Sequence, residues 1–303
     1  MSSSVLLPAV SVVVPHFGEP APTVSLIDSL KSQTGIEPLQ IIVVDDASLV
    51  SFPDYLGVTV IRRPHNGGFG SAVNSGVAVS QNQLTLILNS DLEIGPTLVA
   101  DLVQAAAPFQ PVIASPQVIG HDGAPQWVGR HFPTIKHQTV EWLTPLARWR
   151  HLKSLHEAVG HDTRCVSGQS VAVDWVMGAA MLVPTKKFLA VGGFDESYFM
   201  NAEEIDLQRR LREQGVPARF VGSVGVVHEG GGSSDSQRRR QWLVSSRDLY
   251  ARKWGHPRAL RLALTLASGA NFVVNSLRQL RDRRVDASAV LRQEVGYLKR
   301  AKS

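Results

Sequence analysis

The sequence predicts an α/β fold with a mainly parallel central sheet covered by helices on both faces. Three observations predict it. Over the first hundred residues, short β-branched runs alternate with segments of helical periodicity. The runs are apolar along their length, as strands buried on both faces are. Two of them, IIVVDD at 41–46 and LTLILNSD at 84–91, drive straight into carboxylates.

The first strand is read at 10–14, where VSVVV is almost wholly β-branched. Residues 24–32 follow as a helix, with Val24, Ile27 and Leu30 at helical spacing. IIVV at 41–44 and VTVI at 58–61 are the next strands. A helix over 70–79 carries Val73 and Val77, a strand is read at 84–88 and a helix at 98–106. Sheets of this kind gather ligands at the carboxyl ends of their strands. Asp45, Asp46 and Asp91 therefore fall where a ligand is expected. The stretch 114–173 holds Trp127, Trp142, Trp149 and several His, and reads as hairpins and loops. A strand at 176–184, a helix at 203–214 with Leu207 and Leu211 on one face, and a strand at 219–227 come next. From Ser236 onward the chain reads as helix. One domain over 1–235 and a basic helical extension over 236–303 are expected.

A chain of 303 residues with 44% hydrophobic side chains can bury a sizeable core. Its one cysteine, Cys165, excludes a disulfide framework and fits a reducing compartment. The opening MSSSVLLPAVSVVVP has no basic start and no cleavage pattern, and reads as the first strand rather than a signal peptide. The net charge of +5 hides an asymmetry. Residues 1–235 hold 15 Lys and Arg against 22 Asp and Glu, and residues 236–303 hold 16 against 4. A +12 block predicts an anionic partner, whether lipid headgroups, nucleic acid or an acidic protein, or else a solvated helical face. Within it, LALTLASGANFVVNSL at 262–277 is the most apolar stretch. It falls short of the roughly 20 apolar residues a membrane span needs. Flanked by Arg258, Arg261, Arg278, Arg281, Arg283 and Arg284, it is expected to be an interfacial amphipathic helix.

Four constellations carry chemistry. In NSD, Asn89, Ser90 and Asp91 end a strand, and Asp91 suits either a hard divalent cation or the cap of a turn. HNGGFGSAVNSG at 65–76 offers free N–H groups to an anion, or is an ordinary turn entering a helix. It lacks the GK[ST] of a Walker loop and a convincing GxGxxG. GGFDESYFMNAEEIDLQRRL at 192–211 sets Asp195, Glu196, Glu203, Glu204 and Asp206 around aromatics. These acids suit general-base work, or are the acidic first turn that a helix dipole favours. His228 ends a strand before a glycine run, and suits a hydrogen-bonded structural role or a second metal ligand.

In order, SVVVPHFGE, IIVVDDAS, HNGGFGSAVNSG, LILNSDLEI, WVMGAAMLV, GGFDESYFMNAEEIDL, VVHEGGGSS and SSRDLYARKWG resemble the inverting family 2 glycosyltransferases, and among them the bacterial rhamnosyltransferase-type members. The resemblance spans about residues 10–255. It implies the GT-A fold, an αβα sandwich with a nucleotide-binding part over about 1–115 and an acceptor part over about 116–235. It also implies roles. Val14, Pro15 and His16 lie at the nucleotide pocket, and Asp45 and Asp46 contact base and ribose. Arg62, Asn66, Gly67, Gly68, Phe69 and Asn74 belong to the nucleotide side, and Asn89 and Ser90 complete a DXD-like motif. Asp91 and His228 hold Mg²⁺ or Mn²⁺. Trp175, Gly178 and Ala179 line the donor-sugar and acceptor region, and Glu204 is the catalytic base.

Two departures stand out. Relatives have Glu-Asp where this chain has Glu203-Glu204, and a fuller DXD where it has NSD. QRRRQW at 237–242 places Gln241 rather than Arg before Trp242, unlike the QxxRW of processive synthases. The implied reaction is a metal-assisted single displacement from a dTDP- or UDP-linked sugar, best dTDP-L-rhamnose. The acceptor is a lipid-linked saccharide, best GlcNAc on a polyprenyl diphosphate, in cell-wall or surface polysaccharide synthesis. A galactofuranosyl or other hexosyl donor is the alternative. The expected location is cytoplasmic, peripheral at the inner face of the cell membrane, with an anionic membrane surface met by 236–303. A homo-oligomer is compatible, and no nucleic-acid partner is expected. Two rivals of other classes are a degenerate nucleotide-sugar-binding module and a nucleotidyltransferase. The latter expects an early Gly-rich loop with Arg and Lys, which VPHFGEP at 14–20 lacks.

Overall fold

The computed structural model describes residues 7–228 and 236–300. In chain order the elements are β1 (Val10–His16), α1 (Pro20–Lys31), β2 (Gln40–Asp45), β3 (Val58–Arg62), α2 (Phe69–Val77), β4 (Leu84–Leu88), β5 (Leu92–Ile94) and α3 (Leu98–Ala106). Then come β6 (Ile113–Ile119), β7 (Gly129–Arg130), α4 (Ile135–Trp142), α5 (Lys153–Ala158), β8 (Ser170–Val173), β9 (Trp175–Val176) and β10 (Ala180–Pro184). The chain continues with α6 (Thr185–Ala190), α7 (Glu203–Glu213), β11 (Ala218–His228), α8 (Ser236–Trp254), α9 (Pro257–Gln279) and α10 (Ala287–Arg300).

Two compact units divide these elements. One comprises residues 1–130 and 164–233, the other 131–163 and 234–303. The first holds a nine-stranded sheet in the order β3-β2-β1-β4-β10-β6-β11-β5, with β8 beside β11. β3, β2, β1, β4, β6 and β11 run one way, and β10, β5 and β8 run against them. The expected parallel sheet is thus present. Val12, Val13, Ile42, Val43, Leu86 and Ile87 are fully buried, as residues covered on both faces must be.

The middle of the chain differs from the expectation of hairpins and loops. β6 enters the main sheet there, and α4 and α5 are helices. Ser115, Pro116 and Gln117 interrupt the apolar run of β6 and hide it from pattern reading. The single strand expected at 176–184 is two, because the chain turns at 177–179 where Met177 N–H reaches the Val128 carbonyl. Residues 131–163 also pack with the C-terminal helices, so the compact units are not those expected from one break at 235. Trp142 is buried in that second unit, where its indole N–H donates to Ser268 Oγ at 2.9 Å. Asn271 donates to the Trp142 carbonyl and to Glu294, and Arg247 pairs with Glu141.

α9 buries one mixed face and leaves apolar residues exposed on another. Leu260, Leu264, Ala267, Ser268, Asn271 and Asn275 are buried, while Leu262, Leu266, Val273 and Leu277 are exposed. Among the described residues no helix is long and apolar enough to cross a membrane.

Candidate active site

The strand ends carry the acids as expected, and the sheet register aligns them. His16, Asp45 and Arg62 stand in one row across β1, β2 and β3. Asp45 is buried and accepts from the N–H groups of Ser48 at 2.9 Å and Phe52 at 2.8 Å. Burial pushes its pKa up, but these hydrogen bonds and the facing His16 bring it below the ordinary carboxylate value. Asp46 accepts from Gly67 N–H at 3.1 Å, Gly68 N–H at 2.8 Å and Arg63 at 2.5 Å. Both acids therefore anchor the loops that cover the strand ends. A buried carboxylate needs such donors to be tolerated at all.

This alters the picture of the glycine loop. The amides of Gly67 and Gly68, expected to be free for an anion, already donate to the protein's own Asp46. Asn66 accepts from Gly68 N–H as well. Gly68 is required for another reason: its φ is +85°, and a Cβ there would lie 1.9 Å from the Phe199 carbonyl oxygen. Arg62 turns to the Phe52 carbonyl and Asp54, half-exposed. Its neighbour Arg63, which sequence reasoning missed, is the guanidinium inside the site, bridging Asp46 and Ser71. Strand alternation is the signal that could have found it. Asn74 serves α2 as a tie to a neighbouring loop. Its amide exchanges hydrogen bonds with the backbone of Phe194 and donates to Glu196, tying α2 to the 193–196 loop. His16 is buried, with Nδ1 2.7 Å from Thr23 Oγ1 and its ring edge-on to Phe52. Burial lowers its pKa, and Nε2 is enclosed without a hydrogen-bond partner. Pro15 precedes it, paired with Val44 in the sheet.

The metal candidates meet. β5 pairs antiparallel with β11, placing His228 opposite Leu92. Asp91 Oδ1 then lies 3.2 Å from His228 Nε2, and Asn89 Nδ2 lies 3.3 Å from the same nitrogen. Ser90 stands half-buried between Asn89 and Asp91. An anionic oxygen and an imidazole nitrogen converging on one point form a donor set that suits Mn²⁺ or Mg²⁺. The glycine run that follows His228, residues 230–232, lies outside the described residues. Gln126, another residue missed from sequence, brackets the ring from its other side. A second group with ligand atoms within 4.8 Å of one another, His131, Glu157 and Asp162, belongs to the other compact unit and was not foreseen.

α7 begins at the paired glutamates. Glu203 is 3% exposed, and Glu204 is half-buried with Oε2 enclosed and unpartnered. Burial, reinforced by Glu204, raises the Glu203 pKa well above the ordinary value. Burial raises that of Glu204 too, against the pull of the Arg130 cation. A carboxyl with a raised pKa is fitted to take a proton from a hydroxyl. Gln208 of α7 exchanges two hydrogen bonds with the backbone of Val176, docking this helix on β9. Gly178 follows, where a Cβ would lie 3.5 Å from the Phe69 ring and 3.8 Å from Glu204 Cβ. Asn89 N–H donates to the Ala179 carbonyl, which ties the NSD turn to the same segment. Trp175 is buried with the Arg130 guanidinium 5.3 Å from its ring centre.

Backbone strain marks the same places. Among the described residues, the non-glycine residues at positive φ are Ala47, Trp127, Asn201 and Ala202. One follows the acid pair, one follows Gln126, and two precede the glutamates. Each costs on the order of 1 kcal/mol or more, which packing around the site must offset.

The glycosyl transferase family 2 profile matches residues 11–175, more than half of the chain. The chain is 24% identical over 277 residues to the N-acetylglucosaminyl-diphospho-decaprenol L-rhamnosyltransferase of Mycobacterium tuberculosis, covering 82% of this chain and 88% of that protein. It is 33% identical over 99 residues to rhamnosyltransferase WbbL of Escherichia coli K12, a third of each chain. Its fold matches that of the mannosyltransferase PcManGT from Pyrobaculum calidifontis, solved with GDP-Man and Mn²⁺. That match has a TM-score of 0.59 and 15% identity, over 98% of this chain and 87% of the other. The fold is GT-A, and the protein is a glycosyltransferase. The chain belongs to glycosyl transferase family 2.

Proposed function

We propose that the protein transfers L-rhamnose from dTDP-L-rhamnose to GlcNAc carried on a polyprenyl diphosphate, in building a cell-wall or surface polysaccharide. The likeness to rhamnosyltransferases supports the sugar and the lipid-linked acceptor. The observation that carries the chemistry is the 3.2 Å approach of Asp91 Oδ1 to His228 Nε2, with Asn89 tied through Ala179 to the turn that borders Glu204.

In this reading Asp91 and His228 hold Mg²⁺ or Mn²⁺, which supplies neutralisation of the charge on the diphosphate leaving group. Glu204, as a carboxylate, takes the proton from the acceptor hydroxyl. The resulting oxygen attacks the anomeric carbon as the bond to diphosphate breaks, and the single displacement inverts that centre. Glu204 reaches one methylene farther than the aspartate of relatives, and its docking through Gln208 fixes where that reach ends. His16, Asp45, Asp46 and Arg63 shape the nucleotide end through the loops they hold. The second compact unit meets an anionic membrane with the exposed leucines of α9 and the arginines at its ends, which suits a lipid-linked acceptor.

The test is donor hydrolysis and transfer. The protein is incubated with a panel of nucleotide sugars and Mn²⁺ or Mg²⁺, and released nucleoside diphosphate is measured, with Asp91→Ala and Glu204→Gln as controls. Release from dTDP-L-rhamnose, abolished by EDTA, supports the reading. Release from another donor alone replaces the sugar. No release from any donor, with no binding of dTDP or UDP by calorimetry, sinks it.

A further inference from the structure

The imidazole of His228 is gripped at two points by one side chain. Gln126 Nε2 donates to the His228 carbonyl oxygen at 3.0 Å, and Gln126 Oε1 lies 2.8 Å from His228 Nδ1. The first contact orients the amide, because only the NH₂ end can meet a carbonyl oxygen. The oxygen end is then the one facing Nδ1, and an amide oxygen only accepts. In the neutral ring the proton must therefore sit on Nδ1. The neutral ring then leaves its lone pair on Nε2, facing Asp91 Oδ1 at 3.2 Å, and two acceptors stand that close only with a cation or a second ring proton between them. The Asn89 amide NH₂ 3.3 Å from Nε2 agrees, since it too needs an acceptor there.

The backbone holds Gln126 in place for this. Its N–H donates to the Val118 carbonyl at 3.0 Å, beside the residues of β6 that pair with the end of β11. A tight reversal at 120–124, closed by Gly120 N–H to the Ala124 carbonyl, brings the chain back to it. Trp127, the next residue, sits at φ +53°, and its carbonyl is held by Arg130 Nε at 2.9 Å. A bulky residue in the left-handed region persists only where its surroundings over-determine it.

We infer that Gln126 is the positioning residue that fixes the His228 tautomer, presenting Nε2 with its lone pair to a divalent cation shared with Asp91. The inference rests on the metal-assisted reading of Asp91 and His228. Removing such an outer partner typically lowers metal affinity about 10- to 100-fold.

The test uses the full chain and two readouts. Long-range ¹H–¹⁵N NMR of the metal-free protein, with His228 assigned by His228→Ala, reports which ring nitrogen carries the proton. Mn²⁺ titration followed by electron paramagnetic resonance, alone and with dTDP or UDP, reports affinity. The wild type is expected to show Nδ1–H. Gln126→Leu is expected to shift the ring toward Nε2–H and weaken Mn²⁺ about 10- to 100-fold. Gln126→Glu keeps an acceptor at Nδ1 but loses the donor to the His228 carbonyl, and is expected to bind Mn²⁺ more tightly than Gln126→Leu. A wild-type ring protonated at Nε2 and not at Nδ1 overturns the inference without needing any variant, and so does a folded Gln126→Leu that binds Mn²⁺ as wild type does. If instead His228→Ala and Asp91→Ala both bind Mn²⁺ as tightly as wild type, the metal reading fails. The Nδ1–H signal then still decides, separately, whether Gln126 orients the ring.

Discussion

Asp91 Oδ1 and His228 Nε2 lie 3.2 Å apart because the short strand β5 pairs antiparallel with the end of β11. A carboxylate and an imidazole at that distance converge on one small volume, and each alone is a weak ligand there. Asp91→Asn and His228→Ala are each expected to lower turnover by at least about 100-fold, as loss of a metal contact does. Raising Mn²⁺ should partly restore His228→Ala, which keeps the carboxylate, more than Asp91→Asn. Nucleoside diphosphate release across a Mn²⁺ series checks this, and equal insensitivity of both variants to Mn²⁺ would sink it.

Glu204 sits where burial raises its pKa and Arg130 opposes the rise. A base works only as the carboxylate, so activity is lost as pH falls through that raised value. The acid limb of kcat/KM is therefore expected above the ordinary carboxylate range near 4.3. Arg130→Gln removes the opposing cation and should move that limb to still higher pH. Glu204→Gln should lose about 10²- to 10⁴-fold in transfer while binding donor as before. pH–rate profiles and donor titration separate these outcomes. An unmoved limb in Arg130→Gln would place the titrating group elsewhere.

Glu203 is buried beside Glu204 with Oε2 unpartnered, and its pKa is raised by burial first and by Glu204 second. The unfolded chain gives up this proton at a lower pH than the folded one. Stability therefore falls as pH rises from the unfolded carboxylate pKa to the folded one. Glu203→Gln removes that penalty, so it should melt higher than wild type at pH 7 and equal to it near pH 4. Thermal melts at the two values check the difference, and a lower melting temperature at pH 7 would mean the carboxylate is stabilised after all.

How far the site was legible follows from which of its contacts are local. Asp45, Asp46 and Asp91 declare themselves, because a strand pattern that runs into carboxylate has few explanations. Glu204 and His228 needed the ordered motifs around them, since a glutamate in a first helical turn or a lone histidine is ordinary by itself. Gln126 and Arg63 were not legible. Gln126 lies in an irregular segment whose partner is 102 residues away. Arg63 differs from Arg62 only in facing the other side of the strand end. The strand β6 was hidden by its own Ser-Pro-Gln. The glycine loop shows the opposite error. Its N–H groups do bind an anion, but the anion is Asp46 of the same chain.

Two glycines near the site should behave differently. At Gly68 a Cβ would meet the Phe199 carbonyl oxygen at 1.9 Å, and φ is +85°. Gly68→Ala is expected to destabilise the fold by at least about 2 kcal/mol. At Gly178 a Cβ would make ordinary contacts at 3.5 Å and 3.8 Å with Phe69 and Glu204. Gly178→Ala should leave stability within about 0.5 kcal/mol, as mild changes do. It fills space beside the proposed base, so kcat/KM should drop while the melting temperature holds. Denaturant titration with steady-state kinetics distinguishes the two glycines.

The last prediction concerns α9, which carries a row of exposed apolar residues opposite a buried face of mixed character. Its Ser268, Asn271 and Asn275 are buried, while Leu262, Leu266, Val273 and Leu277 are 58–67% exposed. The inward polar groups are satisfied at least in part, since Ser268 and Asn271 bond Trp142, Thr144 and Glu294. The outward leucines have no such reason to be where they are, and Arg258, Arg278, Arg281, Arg283 and Arg284 stand at the ends of the row. Apolar area that enters an acyl layer gains about 25 cal/mol per Å², and each nearby cation adds about 1 kcal/mol on an anionic surface. Leu266→Ser with Val273→Ser, which removes apolar area without changing charge, should therefore lower partition onto phosphatidylglycerol vesicles by at least about tenfold. The melting temperature should be unchanged, because both sites are exposed. Partition of the wild type should also weaken with added salt, which screens the arginines but not the leucines. Should the double variant sediment with the vesicles as the wild type does, this face of α9 is not what meets the lipid.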